Sequence, residues 1–224
     1  MATRTGSTTR ERLSRDTITS GALELADREG LDAVTIRRLA TDNSVTPMAL
    51  YWHFADKDAV LDGIAERVFA SVVLPAPTTE SWDVQLRAAL MAVLRAVRPH
   101  PLVADILAPR VMKSEAGLVL AERVIGMLRT AGFGAEAASQ TAAFLLCSIV
   151  TLVTSEPGNA EPGDVDAKDE QLRAKKAQLD SLDPKRFPSL IESAQFFLYC
   201  DDEEDYFRRG IDFLVKGTIG VLSS

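Results

Sequence analysis

The sequence predicts an all-α protein: an N-terminal three-helix domain built on a helix-turn-helix, followed by a larger helical domain. Three observations carry this. Apolar residues recur at the i, i+3, i+4 spacing that buries one face of a helix. The runs are punctuated by Gly30, Asp42-Asn43-Ser44, Pro75-Ala76-Pro77, Pro99-His100-Pro101 and Gly132-Phe133-Gly134, all turn formers or helix breakers. One stretch, 135 to 154, is apolar on nearly every side, as a helix enclosed by others would be.

A first helix is expected over 11 to 29, with Leu13, Thr17, Ile18, Ala22, Leu25 and Ala26 inward and Gly30 as its stop. The second puts Ile36, Leu39 and Ala40 on one face. Asp42, Asn43 and Ser44 then form a sharp turn, since their short polar side chains bond nearby backbone. The third helix carries Val45, Ala49 and Leu50 inward and leaves Thr46, Pro47, Met48, Tyr51, Trp52 and His53 outside or at the rim. A long fourth helix starts at Asp56 and buries Val60, Leu61, Ile64, Val68 and Phe69 until Pro75. The domain boundary is placed near residue 57, giving units 1–57 and 58–224. A helix shared by both is a natural lever.

Residues 80 to 97 bring Trp82, Leu86, Ala89, Leu90, Val93, Leu94 and Val97 to one face, and a short piece, 102 to 108, follows. Helices over 115 to 130 and 135 to 154 come next. The second has Ala137, Ala138, Ala142, Ala143, Phe144, Leu145, Leu146, Ile149, Val150, Leu152 and Val153 around its whole girth, so it needs a second covering surface. Residues 155 to 170 hold two Pro-Gly pairs and many acids and read as a loop. A charged helix at about 167 to 181, another over 189 to 198, and a last one capped by Asp201 or Asp202 complete the chain. The last faces inward with Tyr206, Phe207, Ile211, Phe213, Leu214, Ile219 and Leu222. Together with 135 to 154 it is expected to form a symmetric four-helix homodimer interface, 203–221 against 135–154.

Exposed rings are costly in water, so Tyr51, Trp52 and His53 side by side point to a surface that is covered in function. A recognition helix in a DNA major groove covers them. Thr46 can bond a base or phosphate, Pro47 and Met48 can touch a thymine methyl, and Tyr51 and His53 suit phosphates. Lys57, at the next helix start, can hold a phosphate with free backbone N–H groups. The competing reading of Trp52 and Phe54 is that they wedge this unit against the helix behind it.

The run Leu-Tyr-Trp-His-Phe at 50 to 54, followed by Asp56-Lys57-Asp58 and Leu61, resembles the DNA-binding segment of TetR-family transcriptional repressors. Ala22-Leu23-Glu24-Leu25 and the run from Gly30 to Ala40 are similar to that family's first helix, connecting glycine and second helix. The resemblance spans 17 to about 65. It implies a dimeric repressor that releases DNA when a small molecule binds its C-terminal domain. By position it implies that Thr35 and Arg37 contact phosphate or base, that Thr46, Pro47 and Met48 read bases, and that Tyr51, His53 and Lys57 grip the backbone. Ser44 stands where many relatives have glycine. Arg186-Phe187-Pro188-Ser189-Leu190 and the Phe207 to Leu214 pattern resemble, more loosely, the C-terminal half of tetracycline-repressor-like domains.

A net charge of −7 sets a limit on how DNA is held. Residues 1 to 60 carry eight Lys and Arg against nine Asp and Glu, a balance of −1 that leaves −6 for the rest. Arg4, Arg10, Arg12 and Arg15 cluster against one acid, Glu11, as an arm that enters a minor groove or as a solubilising tail. Affinity must then rest on a few placed contacts doubled by dimerisation. No run of eighteen uninterrupted apolar residues and no apolar leader occur, so a cytoplasmic protein without a membrane partner is expected. Cys147 and Cys200 offer neither a disulfide framework nor metal spacing.

An effector pocket is expected between the central helices, its candidate walls being Trp82, Leu86, Leu90, His100, Leu102, Ile106, Met112, Met127, Phe144, Cys147, Ser148 and Thr151. His100, between two prolines, bonds either a ligand oxygen or local backbone. The effector is then small and largely apolar. Neither a second histidine nor a suitable carboxylate accompanies His100, so metal-dependent tetracycline binding does not carry over, and no metal or cofactor is expected. With two histidines and no nucleophile motif, phosphate loop or dinucleotide glycines, an enzyme is not expected. A protein-binding scaffold would explain the apolar helices but not the head. The preferred reading is a regulator bound to a pseudo-palindromic double-stranded operator.

Overall fold

A computed structural model describes residues 13–156, 165–198 and 202–222. Ten α-helices appear among them: α1 (Arg15–Glu29), α2 (Ile36–Asp42), α3 (Pro47–Tyr51), α4 (Lys57–Ala70), α5 (Trp82–Val97), α6 (Glu115–Ala131), α7 (Ala135–Thr154), α8 (Val165–Asp180), α9 (Pro188–Leu198) and α10 (Glu203–Leu222). Two 3₁₀ turns, Ala104–Ile106 and Ala108–Lys113, join α5 to α6. The described residues contain no strand.

Local chemistry sets each start and stop. The hydroxyls of Ser14, Thr35 and Thr46 and the Asp56 carboxylate accept from backbone N–H groups at the beginnings of α1 to α4, satisfying donors that the helix itself leaves free. Asp202 does the same for α10, accepting from Asp205 N at 3.1 Å, while Asp201 lies outside the described residues. Because Ser14 is the cap, α1 begins at Arg15, and its buried face is Ile18, Thr19, Ala22, Leu23, Leu25 and Ala26, with Thr17 only half-buried. The arm with Arg4, Arg10 and Arg12 lies outside the described residues.

The turn after α2 is a Schellman stop. Val45 N bonds Ala40 O at 2.9 Å and Ser44 N bonds Thr41 O at 3.0 Å, which requires a left-handed residue between them. Ser44 supplies it at φ 55°, the one non-glycine with positive φ among the described residues. A glycine would take this conformation freely, whereas serine is strained here.

α4 is the element shared by head and body. It packs on α1 on one side and on α5 and α6 on the other. Its crossing of α1 is close: a Cβ at Gly63 would stand 3.1 Å from Thr19 Oγ1 and 3.3 Å from the Phe54 ring. Asp16 of α1 also pairs with Arg67 of α4 at 2.6 Å. Glu66 of α4 accepts from the Ser114 hydroxyl at 2.6 Å and from Ala116 N, so the start of α6 is anchored on the lever.

The body differs from expectation in three places. α8 starts at Val165, inside the stretch expected to be loop, because the sequence after the second Pro-Gly pair is rich in helix-forming Ala, Lys, Glu, Gln and Leu; residues 157–164 lie outside the described set. α10 buries Phe207, Ile211, Val215 and Thr218, a single stripe. Phe213 and Ile219, expected inward, fall off that stripe and are exposed, Phe213 by 78%. α7 buries Ala138, Leu145, Ile149, Val150 and Val153 within the protomer but leaves Phe144 66% exposed. By length and composition α7 could cross a membrane, yet it packs in the bundle against α5, α6 and α10. The Leu152 side chain of α7 packs onto α10 at Gly210, where a Cβ would collide with it.

Candidate nucleic-acid interface

α3 is only five residues long and shows most of its surface to water. Leu50 is buried, whereas Met48, Tyr51 and Trp52 are 68%, 51% and 86% exposed. The wedge reading therefore separates the two rings: Phe54, 1% exposed, packs into the head, and Trp52 does not. Thr46 and Pro47 stand exposed at the N-terminal end, where Thr46 Oγ1 accepts from Ala49 N at 3.3 Å and Pro47 occupies the first helical position. The Thr46 hydroxyl still has a proton to donate outward.

The flanking residues are more committed. Thr35 is exposed and caps α2 through Arg38 N at 3.1 Å. Arg37 next to it is exposed, with no ion pair among the described residues. Arg38 is held by both Glu29 oxygens, at 2.7 and 2.9 Å, and by Asp42. This bond to Arg38 pulls the Glu29 carboxyl below its ordinary range and raises Arg38 further. Lys57 is half-buried and donates to Leu31 O at 2.8 Å, so its ammonium braces the loop after α1 as well as starting α4. His53 is half-buried at the end of α3.

The expected pocket residues do not converge. A cavity of 280 Å³ lies between α5, α6, α7 and the second 3₁₀ turn, lined by Leu90, Val93, Val111, Met112, Leu120, Val124, Ile125, Ser139, Ala142, Leu146 and Ile149 among others. Leu90 and Met112 are the expected residues it includes. Leu86 is core at 0% exposed, and Ile106 packs against the core from the first 3₁₀ turn. Trp82 and Met127 line a separate groove with Gln85, Glu122 and Arg123. Phe144, Cys147, Ser148 and Thr151 line a shallow outer groove between α7 and α10, and the two hydroxyls bond back to Phe144 O and Cys147 O on their own helix. His100 lies apart from this cavity, in a separate groove with Ser71, Val73, Arg95 and Pro99, and its Nδ1 meets both Asp27 oxygens at 2.9 and 3.0 Å, tying the body to α1. Leu102 is half-buried beside it.

The cavity wall and α4 are physically joined. Val111 and Met112 face the cavity, while Arg110 and Lys113 of the same turn pair with Asp58 and Asp62 on α4. Bonds from Lys113, then Arg110, draw the Asp58 carboxyl below its ordinary range. No cluster of three or more metal-type side chains occurs among the described residues.

Comparison with known proteins agrees with this layout. Residues 18–64 match the model of bacterial regulatory proteins of the tetR family, and residues 74–221 match the tetracyclin repressor-like C-terminal domain. An HTH-type transcriptional regulator of Saccharopolyspora erythraea is 31% identical over 214 residues, covering 94% of this chain and 86% of its own. Tetracycline repressor protein class D of Escherichia coli is 29% identical over 214 residues, covering 92% and 89%. Among solved structures, the TetR family protein ActR of Streptomyces coelicolor in complex with actinorhodin superposes with a TM-score of 0.78 at 25% identity, covering 95% of this chain and 99% of that one. The chain belongs to the TetR family and is a DNA-binding transcriptional regulator with a helix-turn-helix head and a larger helical body.

Proposed function

We propose that this regulator is a homodimeric repressor that holds a pseudo-palindromic operator in the cytoplasm and releases it when a mostly apolar small molecule enters the cavity between α5, α6 and α7. It works by binding, without turnover. The observation that carries the reading is the second 3₁₀ turn, one side of which walls the cavity while the other is ion-paired to α4. A guest that displaces Val111 acts on the lever through Arg110 and Lys113. Release then follows only if the guest fits the displaced state better than the DNA-bound one.

The cavity's chemistry narrows the guest. Its walls are aliphatic, with one side-chain hydroxyl, Ser139, exposed at the mouth beside the exposed Met112. Its 280 Å³ is about twice the ~150 Å³ that takes up one benzene ring, so a flat molecule of two or three fused rings with its polar edge outward suits it. The complex of ActR with actinorhodin and the names of the tetracycline repressors point the same way. Dimerisation uses the faces of α7 and α10 that Phe144 and Phe213 leave uncovered. The head's contacts come from Thr35, Arg37, Thr46, Pro47, Met48, Tyr51, Trp52, His53 and Lys57, and the boundary of the two units falls at the start of α4.

The test begins by selecting an operator from a random DNA pool with the purified protein, then screening two- and three-ring aromatics for release. Leu146→Trp fills the cavity and should keep operator binding while abolishing release. Equal release by that variant overturns the pocket. Phe213→Glu should sediment as a monomer and lose the palindromic site; an intact dimer rejects the interface.

A further inference from the structure

We infer that Arg15, the first residue of α1, is a positioning residue for DNA reading: a strut that fixes the direction of α3 from behind. The inference rests on α3 being the reading helix and adds what aims it.

A helix of five residues has no orientation of its own, because helices this short are not stable without packing. Leu50 and Phe54 anchor one side of α3. Past its C-terminal end, where Tyr51 and Trp52 stand exposed, a side chain reaches across from α1. Arg15 Nη1 donates to His53 O at 3.1 Å, the carbonyl just past the Trp52 cap of α3. The same guanidinium lies over the Phe54 ring, its carbon 4.4 Å from the centroid. One planar cation therefore grips the two consecutive residues that follow Trp52.

The base of the strut is rigid. Ser14 caps α1 beside it, Arg15 O accepts the Thr19 hydroxyl at 2.7 Å, and neighbouring Asp16 pairs with Arg67 of α4. The start of α1 is thus tied to the lever through Asp16 and to the reading helix through Arg15. Movement of α4 reaches α3 by this route as well as through the core. The chemistry requires arginine, since only a guanidinium stacks flat on a ring while donating in its own plane; an ammonium keeps the charge and loses the geometry. Arg15 is accordingly set apart from Arg4, Arg10 and Arg12, with which it clusters in the sequence.

The experiment uses full-length protein carrying Trp82→Phe, which leaves Trp52 as the sole tryptophan, at the end that Arg15 holds. Arg15→Lys and Arg15→Ala are each compared with that background. Without DNA, the fluorescence anisotropy of Trp52 should fall in both variants while helical content by circular dichroism stays unchanged. On DNA selected from a random pool by the parent, both should bind about tenfold more weakly per head, a part of what one exposed cation–π contact and one charge-assisted hydrogen bond are worth together, since the strut acts on binding only through the aim of α3. The slope of log affinity against log salt should not change. Unaltered Trp52 anisotropy overturns the strut, whether or not any DNA is selected. Parental affinity in Arg15→Lys, or a salt slope shallower by about 2 for Arg15→Ala in the dimer, shows a direct phosphate contact instead and also overturns it. If Arg15→Ala loses helical content, Arg15→Lys alone decides. Failure to select any DNA rejects the reading of α3 and leaves the anisotropy result standing.

Discussion

Two glycines on α6 should respond to alanine with opposite signs. Gly117 is buried in the first turn, and a Cβ there would stand 2.5 Å from Val111 O, 3.0 Å from Val111 Cα and 3.1 Å from Val111 Cγ2. Even a favourable C–H···O contact sits at about 3.3 Å, so a shift of about 0.8 Å is required, and the atom in the way is backbone. Neither side is free to move. Ser114 ties the start of α6 to Glu66 and to Gly117 N, and Arg110 and Lys113 tie the 3₁₀ turn to α4. Overpacking of this kind costs about 1–3 kcal/mol, while replacing glycine by alanine inside a helix returns about 1 kcal/mol. Gly126 has the same backbone role with nothing within 4 Å of its Cβ position, so Gly126→Ala should show the gain alone. The propensity term cancels between the two, leaving a gap of about 1–3 kcal/mol, or about 2–12 °C in Tm for a chain of this size. Thermal unfolding by circular dichroism measures it. Gly117→Ala melting at or above Gly126→Ala would refute the packing argument. Because Val111 also walls the cavity, Gly117→Ala alone of the two should alter the uptake of a fused-ring probe.

Ser44→Gly should raise Tm by about 1–2 °C, since it removes a left-handed strain of about 1 kcal/mol and gives back part of that as chain entropy in the unfolded state; a lower Tm would show that the serine hydroxyl does more than turn the chain. The ion pairs of Glu29, Asp58 and Asp212 should appear as acid sensitivity. Their carboxyls lie below their ordinary values when folded, held there chiefly by Arg38, Lys113 and Arg87, so their stabilisation is complete above the ordinary carboxylate range and is lost as pH falls through the lowered values. Urea midpoints should therefore be flat in this contribution from pH 8 to 6, fall in acid, and fall less steeply in 1 M salt; a midpoint that rises between pH 6 and 4 contradicts the sign.

The helices were legible because each carries both a period and punctuation. α5, α6, α7 and α10 fall within two residues of their expected ends, where Ser, Gly, Asp and Pro mark starts and stops. The exposed face of α3 was legible for a related reason: Tyr51 and Trp52 break the apolar pattern, and a break in a pattern is a local property. The cavity was not. It is space left between three helices, and its lining at Val93, Val111, Leu120, Val124, Ile125, Leu146 and Ile149 is chemically ordinary core. Periodicity gives the face a residue is on, not the distance to the helix opposite. The one usable sign was the small residues Ala121, Ala142 and Ala143 on facing helices, which leave room where larger ones would close the gap. Polar tips drew attention instead to Ser148, Thr151 and His100, and each of these is already satisfied, by its own helix or by Asp27.

Charge shows the difference between counting residues and placing them. The count makes the head almost neutral, which weakens the argument that it meets a polyanion. In the folded head, however, much of that count is internal. Arg38 is matched by Glu29 and Asp42, Lys57 by a backbone carbonyl, and Arg15 by a carbonyl and a ring. Among the acids that lower the count, Glu29 and Asp42 share Arg38, Asp16 meets Arg67 and Asp58 meets Arg110 and Lys113, so their charge is partly offset at contact distance and their far field is reduced. What remains outward near α3 is Arg37 together with polar-tipped and apolar side chains that hold no formal charge. A head arranged this way attracts DNA weakly from a distance and discriminates on contact, so the angle between α3 and the rest of the head matters more than the sum of its charges. On the proposed reading of α3, that places the burden on side chains such as Arg15, which holds the end of α3 from behind through His53 O and the Phe54 ring.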